Sequence, residues 1–205
     1  MIPTIKTIIE LPSVDKVKKY SQSLAILDAI IMPEWEYRYF SFNAHWDTNE
    51  MMASMRNGGG DEYFIIFKNN DLIGKVLYNE HIINNDKIKT ILSKVPSKLS
   101  YFTSEKAFNI VNFSFYFWNL NNSAWNVVPN QKILYYLGFL IGDIDIYYNW
   151  ATEYYEVEID KKAIEYIFDY KALNLDIIKT LNTNVDLIEL KKDILEIGYP
   201  SLISF

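Results

Sequence analysis

Residues able to carry chemistry gather first around one glycine run, Arg56-Asn57-Gly58-Gly59-Gly60-Asp61. Consecutive glycines let backbone N–H groups approach an anion, which is how phosphate cradles are built. Here no Gly-Lys-Ser/Thr ending follows, no helix start is expected next, and the carboxylates of Asp61 and Glu62 repel phosphate. A hairpin turn that needs positive φ accounts for the glycines without a ligand. The two histidines, His45 and His81, lie near Asp47 and Glu50 and near Glu80. Neither spacing matches a metal-ligand set, so a divalent ion requires both imidazoles to meet Asp47 in space. The carboxylates of Glu153, Glu156, Glu158 and Asp160 suggest acid–base work only if a pair is partly buried with separated pKa values. Capping and the helix dipole explain acids at that position as well. Ser41 and Ser54 lack a Gly-x-Ser-x-Gly elbow. The sequence therefore implies no catalytic residue, no cofactor and no metal. Its candidates are partner-binding residues, Trp46, Asp47, Arg56, Asp61 and Glu62, with Trp46 and Trp118 as exposed anchors of the kind that dominate protein interfaces.

These side chains must be held by regular elements, and the patterning predicts which. Between Pro12 and Pro33, apolar residues at Val14, Val17, Tyr20, Leu24, Leu27 and Ile31 keep helical spacing, and Ser13 is placed to cap the first turn. An amphipathic helix is expected there. The aromatic run 35–42 then reads as a strand with large side chains on both faces. Residues 50–56, 63–67 and 72–78 complete a four-strand antiparallel meander, joined by the glycine turn and by Asn69-Asn70. The polar stretch 84–104 reads as an exposed connection with one short helix near 87–93. Residues 111–118 alternate as a half-buried strand, and 123–128 form its hairpin partner before Pro129. Beyond Pro129 the period lengthens to that of helices, capped by Asp160, Asn174 and Asp186 and stopped by Gly198 and Pro200. The expected fold class is α+β: an N-terminal helix, an aromatic-rich antiparallel sheet made of a meander plus a further hairpin, and a helical C-terminal half. One domain spans 1–205, strand-rich over 34–128 and helical over 130–200.

Composition narrows the partners. The 205 residues are 50% hydrophobic, with 16 Tyr, 12 Phe and 5 Trp, so a substantial core is affordable. A formal net charge of −6 and a strand 111–118 without Lys or Arg argue against nucleic acid. A basic protein partner suits that balance better. The absence of cysteine removes disulfides, thiolate nucleophiles and Cys-ligated zinc. The start shows no secretion signal, and the apolar stretch 133–146 is interrupted by Gly142, Asp143 and Asp145, short of the roughly 20 residues a membrane span needs. A cytoplasmic protein without membrane association is expected.

Two long patterns add a resemblance. Glu34-Trp-Glu-Tyr-Arg-Tyr-Phe-Ser-Phe-Asn43, continuing through Met52-Ala-Ser-Met-Arg-Asn-Gly58 to Gly60-Asp-Glu-Tyr-Phe-Ile-Ile-Phe67, is one; Glu153-Tyr-Tyr-Glu-Val-Glu-Ile-Asp160 with Glu196-Ile-Gly-Tyr-Pro200 is the other. Together they resemble an uncharacterised family of bacterial cytoplasmic proteins, which implies no activity, cofactor or site residue. The leading functional expectation is a non-enzymatic protein–protein interaction module, such as an immunity protein that neutralises a bacterial toxin. A competing one is a hydrolase or small-ligand enzyme that gathers His45, Asp47, Arg56, Asp61 or Glu62 beside the glycine turn. A third is a structural subunit of a homo-oligomer.

Overall fold

The computed structural model describes residues 2–203. A two-residue strand, β1 (Thr4–Ile5), precedes α1 (Val14–Ile31), whose first turn is capped by the Ser13 hydroxyl accepting from the Lys16 N–H. The first turns of α1 are amphipathic as expected, but every residue from Ser21 to Ile30 is buried. The helix is thus the centre of the molecule, wrapped by strands and by later helices.

The expected strand over 35–42 begins late. Trp35–Tyr37 is a single 3-10 turn with no buried residue, and β2 runs only over Phe40–Asp47. The cause lies in two polar clamps. The buried carboxylate of Asp28 accepts from the N–H groups of Tyr39 and Phe40 at 2.9 and 2.8 Å. Arg38 donates to the carbonyls of Met32 and Pro33 and to Asp193. Backbone groups that a strand would pair are thereby used locally, and the chain turns outward over 35–37.

From β2 the meander is as expected: β3 (Glu50–Arg56), β4 (Glu62–Lys68) and β5 (Asp71–Leu77) follow in antiparallel register. Two further strands, β6 (Phe115–Asn119) and β7 (Trp125–Val128), extend the sheet beyond β5, so its order is sequential from β2 to β7. A separate two-residue strand, β8 (Leu134–Tyr135), pairs with β1. Alternation then assigns two faces. Phe40, Phe42, Met55, Tyr63, Phe67 and Phe117 point into the main core with α1. Met52, Phe64, Ile66, Ile73, Tyr116 and Trp118 point into a second one.

That second core corrects two expectations. The stretch 84–104 is no exposed connection: with α2 (Asn85–Leu92) and α3 (Ser100–Thr103) it lays Ile88, Ile91, Leu99 and Phe102 against the sheet. The strand expected over 111–118 begins only at Phe115 and is buried on both faces rather than one. Lys75, in the middle of the second face, explains the late start. Its ammonium donates to the carbonyls of Asn109 and Asn112, pulling that segment across the sheet instead of alongside β5.

The C-terminal helices α4 (Ile144–Tyr155), α5 (Lys161–Phe168), α6 (Leu175–Leu181) and α7 (Leu187–Ile197) follow the expected punctuation. Side chains of Asp160, Asn174 and Asp186 accept the N–H groups of Ala163, Ile177 and Ile188, and Gly198 ends α7 at φ +66°. Ahead of α4, residues 130–140 hold β8 and a 3-10 turn at Leu137–Leu140 instead of helix. Among the described residues, no helix is long and apolar enough to cross a membrane.

Candidate functional site

The five partner-binding candidates do not share a place. Asp47 pairs with Glu50 at one end of β3, whereas Arg56 pairs with Glu62 at the other. Six residue steps along a strand separate the two ends by about 20 Å. Trp46 is not an exposed anchor: its ring, half-buried, stacks on Phe108 at 5.6 Å as part of the second core. Trp118 is buried there too. Asp61 is buried as a staple of the glycine turn, accepting from the Tyr136 hydroxyl, the Asn57 amide and the Asn79 N–H. Glu62 accepts from Lys75 at 3.0 Å. Asp47 is exposed and accepts from the Thr48 N–H.

The set His45, Asp47, Arg56, Asp61 and Glu62 is therefore not assembled into one acid–base centre. His45 and Asp47 line a hollow with Lys18 at the β2–β3 turn. His81 stacks on Tyr135 near the opposite end of the sheet, its Nε2 lying 3.3 Å from the Tyr135 hydroxyl. Among the described residues no group of three His, Asp or Glu side chains is placed to hold a metal ion.

Two buried ionisable groups serve the fold. Burial pushes the Asp28 carboxyl up to about 6, against the pull of the N–H groups of Phe40 and Tyr39 and the hydroxyls of Tyr155 and Tyr147. The same burial, with the Asp28 charge beside it, raises the hydroxyls of Tyr147 and Tyr155. Asp28 is inaccessible to any ligand. Lys75 is equally buried, and its pKa is lowered by desolvation, which the Glu62 carboxylate opposes. Each is surrounded by hydrogen-bond partners, as a buried charge must be.

What the fold does open to solvent is an aromatic trough. Its first hollow, of about 280 Å³, lies between Trp35, Tyr37, Tyr154 and Arg56 with Ser41 and Ser54 on its floor. A second of about 420 Å³ shares Tyr39 and Tyr154 with it and continues along Trp150 and Glu153. A third of about 330 Å³ shares Trp150 and Glu153 and reaches Ile146. The wall is ordered by ring contacts: Tyr39 to Trp150 at 4.5 Å, Tyr39 to Tyr154 at 5.1 Å, and Trp150 stacked on Tyr154 at 5.0 Å. Ile146, Trp150 and Tyr154 follow one another at intervals of four on α4 and so form one stripe. That stripe was available in the sequence; its meeting with 35–39 was not.

At the rim, Trp35 and Tyr37 are 60% and 59% exposed and Tyr154 is 43% exposed. The Arg56 guanidinium carbon lies 5.8 Å from the Trp35 ring centre and 5.4 Å from that of Phe64, within cation–π range. Arg38, the other arginine, is clamped to Asp193 at 2.7 Å. Comparison with protein-family models, with curated proteins and with solved structures finds no match to this chain.

Proposed function

We propose that this chain is a binding protein that receives a partner polypeptide in the aromatic trough. One observation carries the reading: Trp35, Tyr37 and Tyr154 hold large apolar side chains in water around one continuous hollow. Leaving such surface exposed costs about 25 cal/mol per Å², and clustered exposed aromatics mark sites whose partner removes it from water. Tyr and Trp are also the residues on which interface energy concentrates. The net charge of −6 favours a partner of basic balance through faster encounter. In its narrowest form the proposal makes that partner a bacterial toxin that the chain neutralises in the cytoplasm.

The test uses the full chain and a Trp35→Ala/Tyr154→Ala double variant as paired baits against the product of each neighbouring gene. The proposal expects one product to be retained by the wild type and to lose at least tenfold in affinity with the variant. Equal retention by both proteins would remove the trough from consideration.

A second reading rests on a different surface. Ile188 and Leu195, seven residues apart on α7, are 72% and 62% exposed on one stripe. If α7 is a self-association face, light scattering finds a dimer that Ile188→Ser/Leu195→Ser converts to monomer; a monomeric wild type disposes of the reading.

A further inference from the structure

Arg56 is a guanidinium without a carboxylate partner among the described residues. Its cross-strand neighbour in the β3–β4 ladder is Glu62, the carboxylate best placed to pair with it. Glu62 instead turns to the buried ammonium of Lys75. No carboxylate lies within ion-pair distance of Arg56 among the described residues, although the chain has 26 Asp and Glu against 20 Lys and Arg. The rings of Trp35 and Phe64 lie within cation–π range of the guanidinium, and its N–H groups have no hydrogen-bond acceptor among the described residues.

A second donor comes from a pair of hydroxyls beside it, Ser54 two residues away on the same side of the strand and Ser41 across from it. Ser54 is 2% exposed and faces Ser41 across the β2–β3 pair, their hydroxyl oxygens 2.7 Å apart. Two hydroxyls bring two hydrogens, and their mutual bond uses one. The other has no acceptor among the described residues, and both side chains line the same hollow as Arg56. The guanidinium and one hydroxyl hydrogen thus line a single hollow without a hydrogen-bond acceptor of their own among the described residues.

We propose that the Arg56 end of the trough receives a carboxylate, carried by an Asp or Glu side chain of an extended partner segment. This rests on the trough being a polypeptide site. Carboxylate is preferred to phosphate because Glu36 lines the same hollow and Glu62 stands next in the ladder, so a dianion meets more repulsion than a monoanion. A planar carboxylate also matches the guanidinium fork with two parallel hydrogen bonds. A side chain on a polypeptide is preferred to a free acid because the hollow does not end at Arg56. It runs on past Tyr154 and Tyr39 to Trp150 and Glu153, where the exposed Glu153 carboxylate has no ion-pair partner among the described residues and suits a Lys or Arg of the same segment. The segment is thus acidic at one end and basic at the other.

A displayed library of random peptides selected on the immobilised full chain tests this. The expected binders carry Asp or Glu beside an apolar residue. A synthetic binder then loses about tenfold in affinity on Arg56→Gln, and by a comparable factor when its own Glu becomes Gln. Arg56→Gln removes only an exposed side chain, and an unchanged thermal transition verifies its fold; Ser54→Ala gives a smaller loss in the same direction. Binders without an acidic residue, or binders held equally by Arg56→Gln, overturn the carboxylate anchor. If those binders are still lost with Trp35→Ala/Tyr154→Ala, the trough itself stands and only the anchor falls. Binders indifferent to both changes, or a library that yields none, overturn the two proposals together. Free benzoate that perturbs tryptophan emission at the concentrations of the peptides, and does so through Arg56, overturns the polypeptide source.

Discussion

A single carboxylate at the end of the central helix decides where the first long strand can begin. Asp28 spends one oxygen on the N–H groups of Tyr39 and Phe40 and the other on the Tyr147 hydroxyl. Its folded pKa of about 6 exceeds the unfolded value of 3.8, so between these pH values the folded state binds the proton more tightly. Stability from this group is therefore greatest below about pH 4, falls as pH rises to about 6 and is level above. The fall is on the order of 3 kcal/mol. Asp28→Asn keeps an acceptor oxygen and loses the titration. Denaturant unfolding of wild type and variant from pH 4 to 7 should show their stability difference changing across that window; a constant difference would refute the assignment. Gly74 makes a steric prediction at the same scale. A Cβ there would sit 2.6 Å from Cε1 of Phe117 and 3.0 Å from Cγ1 of Ile65. Gly74→Ala should cost about 1–3 kcal/mol by overpacking the sheet, measured as a lowered urea midpoint with the slope retained.

Elements are held by their ends and by latches between them. The Asp186 carboxylate accepts from two N–H groups in the first turn of α7, the helix that also supplies Asp193 to the Arg38 clamp. Asp186→Ala should lower stability by about 1 kcal/mol, and an unchanged thermal midpoint would show that packing alone holds the helix. Lys75 latches the 84–113 cover to the second face of the sheet through the carbonyls of Asn109 and Asn112. Lys75→Met fills a similar volume but leaves those carbonyls without a donor, a loss of about 1–3 kcal/mol. Amide exchange should accelerate across 84–113 while β3 and β4 stay protected. Uniform acceleration through the sheet would mean the cover has no independent opening.

Over the whole molecule, one sheet serves two cores. The larger draws on residues from Ile5 to Tyr199, so the strand-rich and helical halves are packed as one body around α1. The aromatic trough is a product of that arrangement: β1 supplies its far lip, the 3-10 turn after α1 its rim, β3 its arginine and α4 its wall. Because Trp35 and Tyr37 lie outside both cores, Trp35→Ala should change stability by no more than about 0.5 kcal/mol while weakening partner binding. A large drop in its thermal midpoint would make the ring a structural element instead.

The sequence alone determined the features whose causes lie within a few residues. Ser13, Asp160, Asn174 and Asp186 cap helices because a side-chain oxygen reaches N–H groups two or three positions ahead. The meander was legible because glycine and asparagine turns bound short alternating runs. Tertiary structure decided the rest, since the forces responsible join distant parts of the chain. Asp28 takes the N–H groups of Tyr39 and Phe40 and Arg38 reaches Asp193, and those contacts turn the chain outward over Trp35 and Tyr37 where local propensity places a strand. The burial of Lys75 diverts Glu62, and so leaves Arg56 without its cross-strand partner. No spacing rule contains that choice: which carboxylate an ammonium claims depends on which groups the folded sheet removes from water.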